Sequence, residues 1–162
     1  MAVARWDTPL YVFQSREIDF AFRQLDSLPS LVPVRHWLSC KTLAIRPLLQ
    51  RWKHLGRGIE VVSLFELRAA LFEGFAAEQI LVNGPAKQRW LHSIESEHLN
   101  IQCDSLEEVR VLAPIARKRR WQVGLRFHTS GNLDPDDEHF ADQFGLASSE
   151  VQDALEILYT NG

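Results

Sequence analysis

The carboxyl ends of the short apolar runs in this chain carry, in order, Lys41, Glu60 with Ser63, Asn83, Asp104, and Arg126 with His128. In folds built from strand-helix units, the chemistry gathers at those ends. Lys41 is the most reactive of the set. It closes the apolar stretch Trp37-Leu38-Ser39-Cys40, where loss of water would disfavour the ammonium and free the amine to attack a carbonyl. A strand-end lysine can also simply reach past the apolar surface into solvent, and spacing alone favours that plainer role. Glu60 is more demanding, because an acid ending an apolar strand needs a partner or water. Lys41 is the partner expected for it. Arg126 is open to two readings, a site cation or a partner for an interior carboxylate.

These residues need strands and helices to hold them. Residues 10–13 are strand-like, and Ile18, Ala21, Phe22 and Leu25 then fall on one helix face. Residues 34–40 form the next apolar run, and Ile45, Leu48, Leu49 and Trp52 mark a second helix. Residues 59–62 are a β-branched run. Ser63 with Glu66 reads as a capping box, opening a helix through Leu67 and Leu71. Residues 80–82 read as a strand, 87–94 as a helix and 99–103 as a strand. Ser105 with Glu108 is a second capping box, ahead of Val109, Leu112 and Ile115. Residues 123–127 read as a strand and 129–142 as a polar, acidic loop. Ser149 with Gln152 is expected to cap a last helix carrying Val151, Ala154, Leu155 and Leu158.

Strands read as continuously apolar are buried on both faces, as in a parallel sheet covered by helices. The fold class is therefore α/β. No G-x-G-x-x-G, P-loop, G-x-S-x-G elbow or H-E-x-x-H occurs, which tilts the choice toward a closed barrel.

The 162 residues are 46% hydrophobic and 24% charged, an ordinary globular balance. A net charge of -3 gives no broad attraction to nucleic acid or anionic lipid, and neither is expected as a partner. The run Arg117-Lys118-Arg119-Arg120 reads as a solvated helix end. Cys40 and Cys103 are too few for a disulfide framework or zinc cluster and read as reduced, buried thiols. His36, His54, His92, His98 and His139 show no ligand spacing. Asp134, Asp136, Asp137 and Glu138 lack EF-hand spacing, so no metal is expected. No apolar signal core or membrane-length run is present, and the cytoplasm is the expected compartment.

Seven stretches, in order, carry a resemblance. They are Thr8-Pro9-Leu10-Tyr11-Val12-Phe13, Ser39-Cys40-Lys41-Thr42, Gly58-Ile59-Glu60-Val61-Val62-Ser63 through Glu66-Leu67, Ile80-Leu81-Val82-Asn83-Gly84-Pro85 with Lys87, Asp104-Ser105-Leu106-Glu107-Glu108, Gly124-Leu125-Arg126, and Phe144-Gly145. Together they resemble the fold-type III pyridoxal-phosphate decarboxylases, the group of ornithine, diaminopimelate and arginine decarboxylases. The resemblance implies a partial (β/α)8 TIM barrel of the alanine racemase-like type, about five βα units long. Residues 15–162 would form that part of the barrel. Residues 1–14 would supply a strand that normally joins a C-terminal β-domain.

The implied cofactor is pyridoxal 5'-phosphate. Lys41 matches the lysine that holds it as a Schiff base, and is the implied catalytic residue. Glu60 lies where the family usually has an aspartate facing the cofactor. Ser63 and Glu66 match the serine and glutamate that follow. Arg126 matches an arginine that sets the cofactor's environment. The chain also departs from the pattern, with Thr42-Leu43 for alanine and asparagine, Gln143 for lysine, and His128 at a position usually polar but not histidine.

A closed barrel takes about 250 residues, with a floor near 200. The resemblance places several parts beyond these units: a histidine stacking on the cofactor ring, a glycine-rich phosphate loop, and an acid on the pyridine nitrogen. A cysteine and an aspartate that cross a dimer interface lie there too. A half barrel with an apolar inner face and two open strand edges invites association. The expectation is a fragment, split-gene product or truncation, catalytically incomplete alone, that is completed by a C-terminal half or a homodimer. The implied function is decarboxylation of a basic or diamino acid. The alternatives are an inactive homologue acting as a regulator, and a cofactor-holding protein without a robust reaction.

Overall fold

A computed structural model of the chain describes residues 12–128 and 144–161. The chain divides into two compact units, Met1–His36 and Trp37–Gly162. In the first, α1 (Ser15–Asp26) forms where the apolar spacing predicts it, with Phe22 buried. The Ser27 N–H then closes the helix on Arg23 O at 3.1 Å. Of the strand expected over residues 10–13, residues 10 and 11 lie outside the described residues, while Val12 and Phe13 are not in a strand.

The second unit is a parallel sheet of β1 (Trp37–Ser39), β2 (Gly58–Val61), β3 (Ile80–Val82), β4 (Asn100–Cys103) and β5 (Gln122–Leu125). The strands lie side by side in chain order. A doubly wound sheet reverses its order at a switch point; this one does not, which is the arrangement of a barrel wall. Helices α2 (Arg46–His54), α3 (Leu64–Phe72), α4 (Gln88–Leu91) and α5 (Leu106–Arg119) make the crossovers. Beyond β5, Phe127 pairs in parallel with Leu146, so a sixth wall position opens ahead of α6 (Val151–Asn161).

Strand burial corrects one expectation. Rather than being apolar throughout, the strands alternate. Ile59, Val61, Ile80, Val82, Ile101 and Cys103 are buried, whereas the residues between them face the other way. Ser39, Glu60, Leu81, Asn100 and Gln122 share one register row of that second face, and Gln102 follows on the same side. The inner face is therefore largely polar, not apolar. An apolar layer on the helix side supplies the core, where Leu48, Leu49 and Trp52 of α2, Leu67 and Ala70 of α3, and Val109, Leu112, Ala113 and Ala116 of α5 are all buried.

Other differences are local. The helix expected over 87–94 is a four-residue turn. Ser149 and Gln152 do not cap the last helix; Ser149 lies in a 3-10 turn, and Glu150 Oε2 accepts the Ala147 N–H at 2.8 Å instead. The expected loop over 129–142 falls outside the described residues. Gly145 has φ +97, and a Cβ there would meet the Phe127 backbone at 2.9 Å. Only glycine fits this close approach of chains.

Candidate active site

The carboxyl ends of β1 to β5 form one rim. Lys41 lies in the turn that follows β1, two residues past the strand, held by Thr42 N–H to Ser39 O at 3.1 Å and the Thr42 hydroxyl to the same oxygen at 2.6 Å. Its side chain is exposed, the plainer of the two placements its spacing allowed, and is not desolvated. Among the described residues it makes no ion pair, leaving the amine accessible. Ser39, two residues back, has a buried Oγ without a hydrogen-bond partner among the described residues.

Glu60 does not pair with Lys41. Its Oε1 accepts Asn83 Nδ2 at 2.7 Å, and Asn83 Oδ1 accepts the Gly84 N–H at 2.9 Å. The reason is register. Glu60 sits opposite Leu81, so Asn83, two residues on, projects from the same face one step nearer the rim. The period of two along β3 puts Asn83 on the face of Leu81, but the β2–β3 register, set by the sheet, decides that it meets Glu60. Ser39 is the neighbour of Glu60 on the other side.

Ser63 caps α3, its Oγ accepting the Glu66 N–H at 3.2 Å. Glu66 reaches back to accept the Val62 N–H at 2.7 Å, so the box closes one residue ahead of the cap. That leaves the Ser63 hydroxyl hydrogen available.

Arg126 follows β5 and realises the carboxylate pairing. Its Nη1 lies 3.4 Å from Asp104 Oδ1, and its guanidinium stacks 4.6 Å over the Phe144 ring. Asp104 is nearly buried, with a side-chain exposure of 5% against 40% for Arg126. His128 continues the edge, its N–H donating to Leu146 O at 3.1 Å.

One charged group carries no sequence signal of its burial beyond its place in a motif. Lys87 is 0% exposed, and its Nζ donates to Glu108 Oε2. The same carboxylate accepts Lys87 N–H at 3.1 Å and Asp104 N–H at 2.8 Å. Three donors on one carboxylate knit the ends of β3 and β4 together. Both thiols are buried. Burial, then the Glu66 charge, pushes the Cys40 thiol up. Burial likewise pushes Cys103 up to about 12, with Lys87 opposing and Glu108 and Asp104 adding. Among the described residues no cluster of metal-ligating side chains exists, and no helix is long and apolar enough to cross a membrane.

Residues 18–160 match the family described as pyridoxal-dependent decarboxylase, pyridoxal binding domain. The chain is 32% identical over 116 residues to the L-glutamyl-[BtrI acyl-carrier protein] decarboxylase of Niallia circulans, covering 70% of this chain and 27% of that protein. It is 32% identical over 167 residues to the diaminopimelate decarboxylase of Deinococcus radiodurans, covering 99% of this chain and 42% of the relative. Among solved structures it is similar to diaminopimelate decarboxylase from M. jannaschi, with a TM-score of 0.77, 20% identity, and coverage of 98% of this chain and 40% of that one. The enzyme from Helicobacter pylori complexed with L-lysine is similar at a TM-score of 0.68 and 18% identity, covering 92% and 40% of the two chains. These structures bear on the fold, a TIM-barrel wall of which this chain has five strands. The chain spans less than half the length of the relatives it matches.

Proposed function

This chain belongs to the pyridoxal-dependent decarboxylase family, and on that premise we propose that it carries the lysine-bearing part of an amino-acid decarboxylase site. The observation that carries the reading is Lys41, an accessible amine at the rim beside a row of inward polar side chains. The residues fit pyridoxal 5'-phosphate, the family's cofactor. A free amine can take its aldehyde, and Glu60 keeps one carboxylate oxygen uncommitted among the described residues. The buried Ser39 Oγ, also on the rim side, lacks a partner among the described residues.

When bound, pyridoxal phosphate supplies an electron sink for the pair left as carbon dioxide departs. The chain's own residues would bind and orient this cofactor. Lys41 would hold the cofactor covalently through its Nζ. The Glu60 carboxylate would favour positive charge at that nitrogen. Arg126, steered by Asp104 and Phe144, adds a cation at the end of β5, and Ser63 offers a hydroxyl just past the end of β2. The substrate class is an amino acid, with a basic or diamino acid favoured by the diaminopimelate-acting relative. A glutamyl group borne on a carrier protein is the second reading, because the Niallia circulans relative is named for one. A regulator or cofactor holder without turnover is the outcome if carbon dioxide is not released.

The test is borohydride reduction of the chain with pyridoxal phosphate, followed by peptide mass spectrometry. The chain has four lysines, at 41, 53, 87 and 118, and the label is expected on Lys41. Lys87, sealed in its ion pair, is an internal control. Labelling that persists undiminished in Lys41→Ala would sink the proposal. Release of carbon dioxide from diaminopimelate, ornithine, lysine, arginine or carrier-bound glutamate then separates an enzyme from a holder.

A further inference from the structure

The Asn83 amide is held at both ends. Its Oδ1 accepts the Gly84 N–H at 2.9 Å and its Nδ2 donates to Glu60 Oε1 at 2.7 Å. An amide whose oxygen is committed to a backbone N–H has only one orientation available, with the NH2 toward Glu60. The turn itself is tight. Gly84 has φ +83, and a Cβ there would meet Val62 Cβ at 3.1 Å. The donor is therefore presented by backbone geometry, not by a floppy side chain.

Glu60 is also a methylene longer than the aspartate that the resemblance leads one to expect. A longer carboxylate has one more torsion to order, at a cost in rotamer entropy. Anchoring one oxygen removes that freedom. The anchor is neutral, so the carboxylate keeps its whole charge for a cation approaching its second oxygen, whereas a lysine or arginine in the same place would consume it.

We infer that Asn83 is a positioning residue that aims the Glu60 carboxylate at the nitrogen carried by Lys41. This rests on the Lys41 reading above. Asn83 does not touch the cofactor in this account, and it acts only through Glu60. A residue that merely closed the β3 turn would act on stability whether or not Glu60 were present.

A double-mutant cycle on the 162-residue chain decides between these roles. The parent, Asn83→Ala, Glu60→Ala and the double variant are loaded with pyridoxal phosphate. The pH midpoint of the absorption band of the lysine-linked cofactor is read for each, with urea unfolding alongside. A nearby carboxylate favours the protonated linkage, so Glu60→Ala is expected to lower the midpoint by about one pH unit. Asn83→Ala should lower it in the same direction by less, and should add nothing once Glu60 is gone. An unchanged midpoint in either single variant, or an equal further shift from Asn83→Ala in both backgrounds, overturns the inference. Lost stability with an unmoved midpoint does so too, and marks Asn83 as structural only. If Asn83→Ala does not fold, Asn83→Ser, too short to hold the same bond, is read in its place. A parent chain that forms no lysine-linked band fails the Lys41 reading itself, a result distinct from all of these.

Discussion

The β2–α3 and β4–α5 junctions carry the same local signal, Ser63-Leu64-Phe65-Glu66 and Ser105-Leu106-Glu107-Glu108. They fold it alike, with Ser63 at φ -149, ψ 160 and Ser105 at φ -152, ψ 160. In both, the serine accepts the glutamate's N–H, and the glutamate accepts the N–H of the residue before the serine. The difference is what else reaches the carboxylate. Glu66 is half-buried and has no described cation, whereas Glu108 is 1% exposed and holds the buried Lys87. One capping signal thus gives two devices, a helix cap and a rivet between neighbouring βα units.

Breaking the rivet is expected to have the largest effect. Lys87→Met leaves Glu108 buried without its counter-ion, and should cost about 3–5 kcal/mol in urea unfolding. Glu108→Gln, which strands Lys87, should fall in the same range. Glu66→Gln keeps an acceptor and should cost under about 1 kcal/mol. Similar losses at Glu66 and Glu108 would erase the distinction between the junctions.

The alkaline limb of stability sharpens it next. Cys103 ordinarily ionises near 9.0, and burial, opposed by Lys87 but aided by Glu108 and Asp104, holds it up to about 12. Below the ordinary value both folded and unfolded chains keep the proton, and the contribution is fully present. As pH rises past it, the unfolded chain loses its proton first. Stability should then fall by about 1.4 kcal/mol per pH unit until the folded pKa is reached. Cys103→Ala should flatten that limb relative to the parent. An unchanged slope would show that the thiol is not held protonated.

The smallest effect is a predicted equality. Ser63→Ala and Ser105→Ala should each cost about 1 kcal/mol, differing by less than about 0.5 kcal/mol. The matched cap geometries predict this, and a larger gap would mean that the caps are not equivalent.

Much of the frame was legible along the chain. The two capping boxes and the strand-helix rhythm depend on residues within a few positions of one another, and such contacts follow from helix and strand geometry. The role of Lys41 came only from the resemblance carried by the ordered motifs. The last helix differs at its start because a 3-10 turn over Ser148–Glu150 leads into it, and the Glu150 carboxylate accepts the Ala147 N–H three residues back. The inner face is polar, not apolar, because the runs alternate: Gly58-Ile59-Glu60-Val61 and Asn100-Ile101-Gln102-Cys103 each turn every second residue inward.

Taken alone, the amino-acid sequence determined the α/β class, the position of Lys41 after β1, and the caps of α3 and α5, because each is a matter of neighbours in the chain. Only the tertiary structure decided that Glu60 belongs to Asn83 and not to Lys41, that Arg126 leans on Asp104 and Phe144, and that Lys87 is buried on Glu108. Those partners are 18 to 23 residues apart. The register of parallel strands sets which of them meet, and register is a property of the assembled sheet, fixed by the common burial of its apolar face.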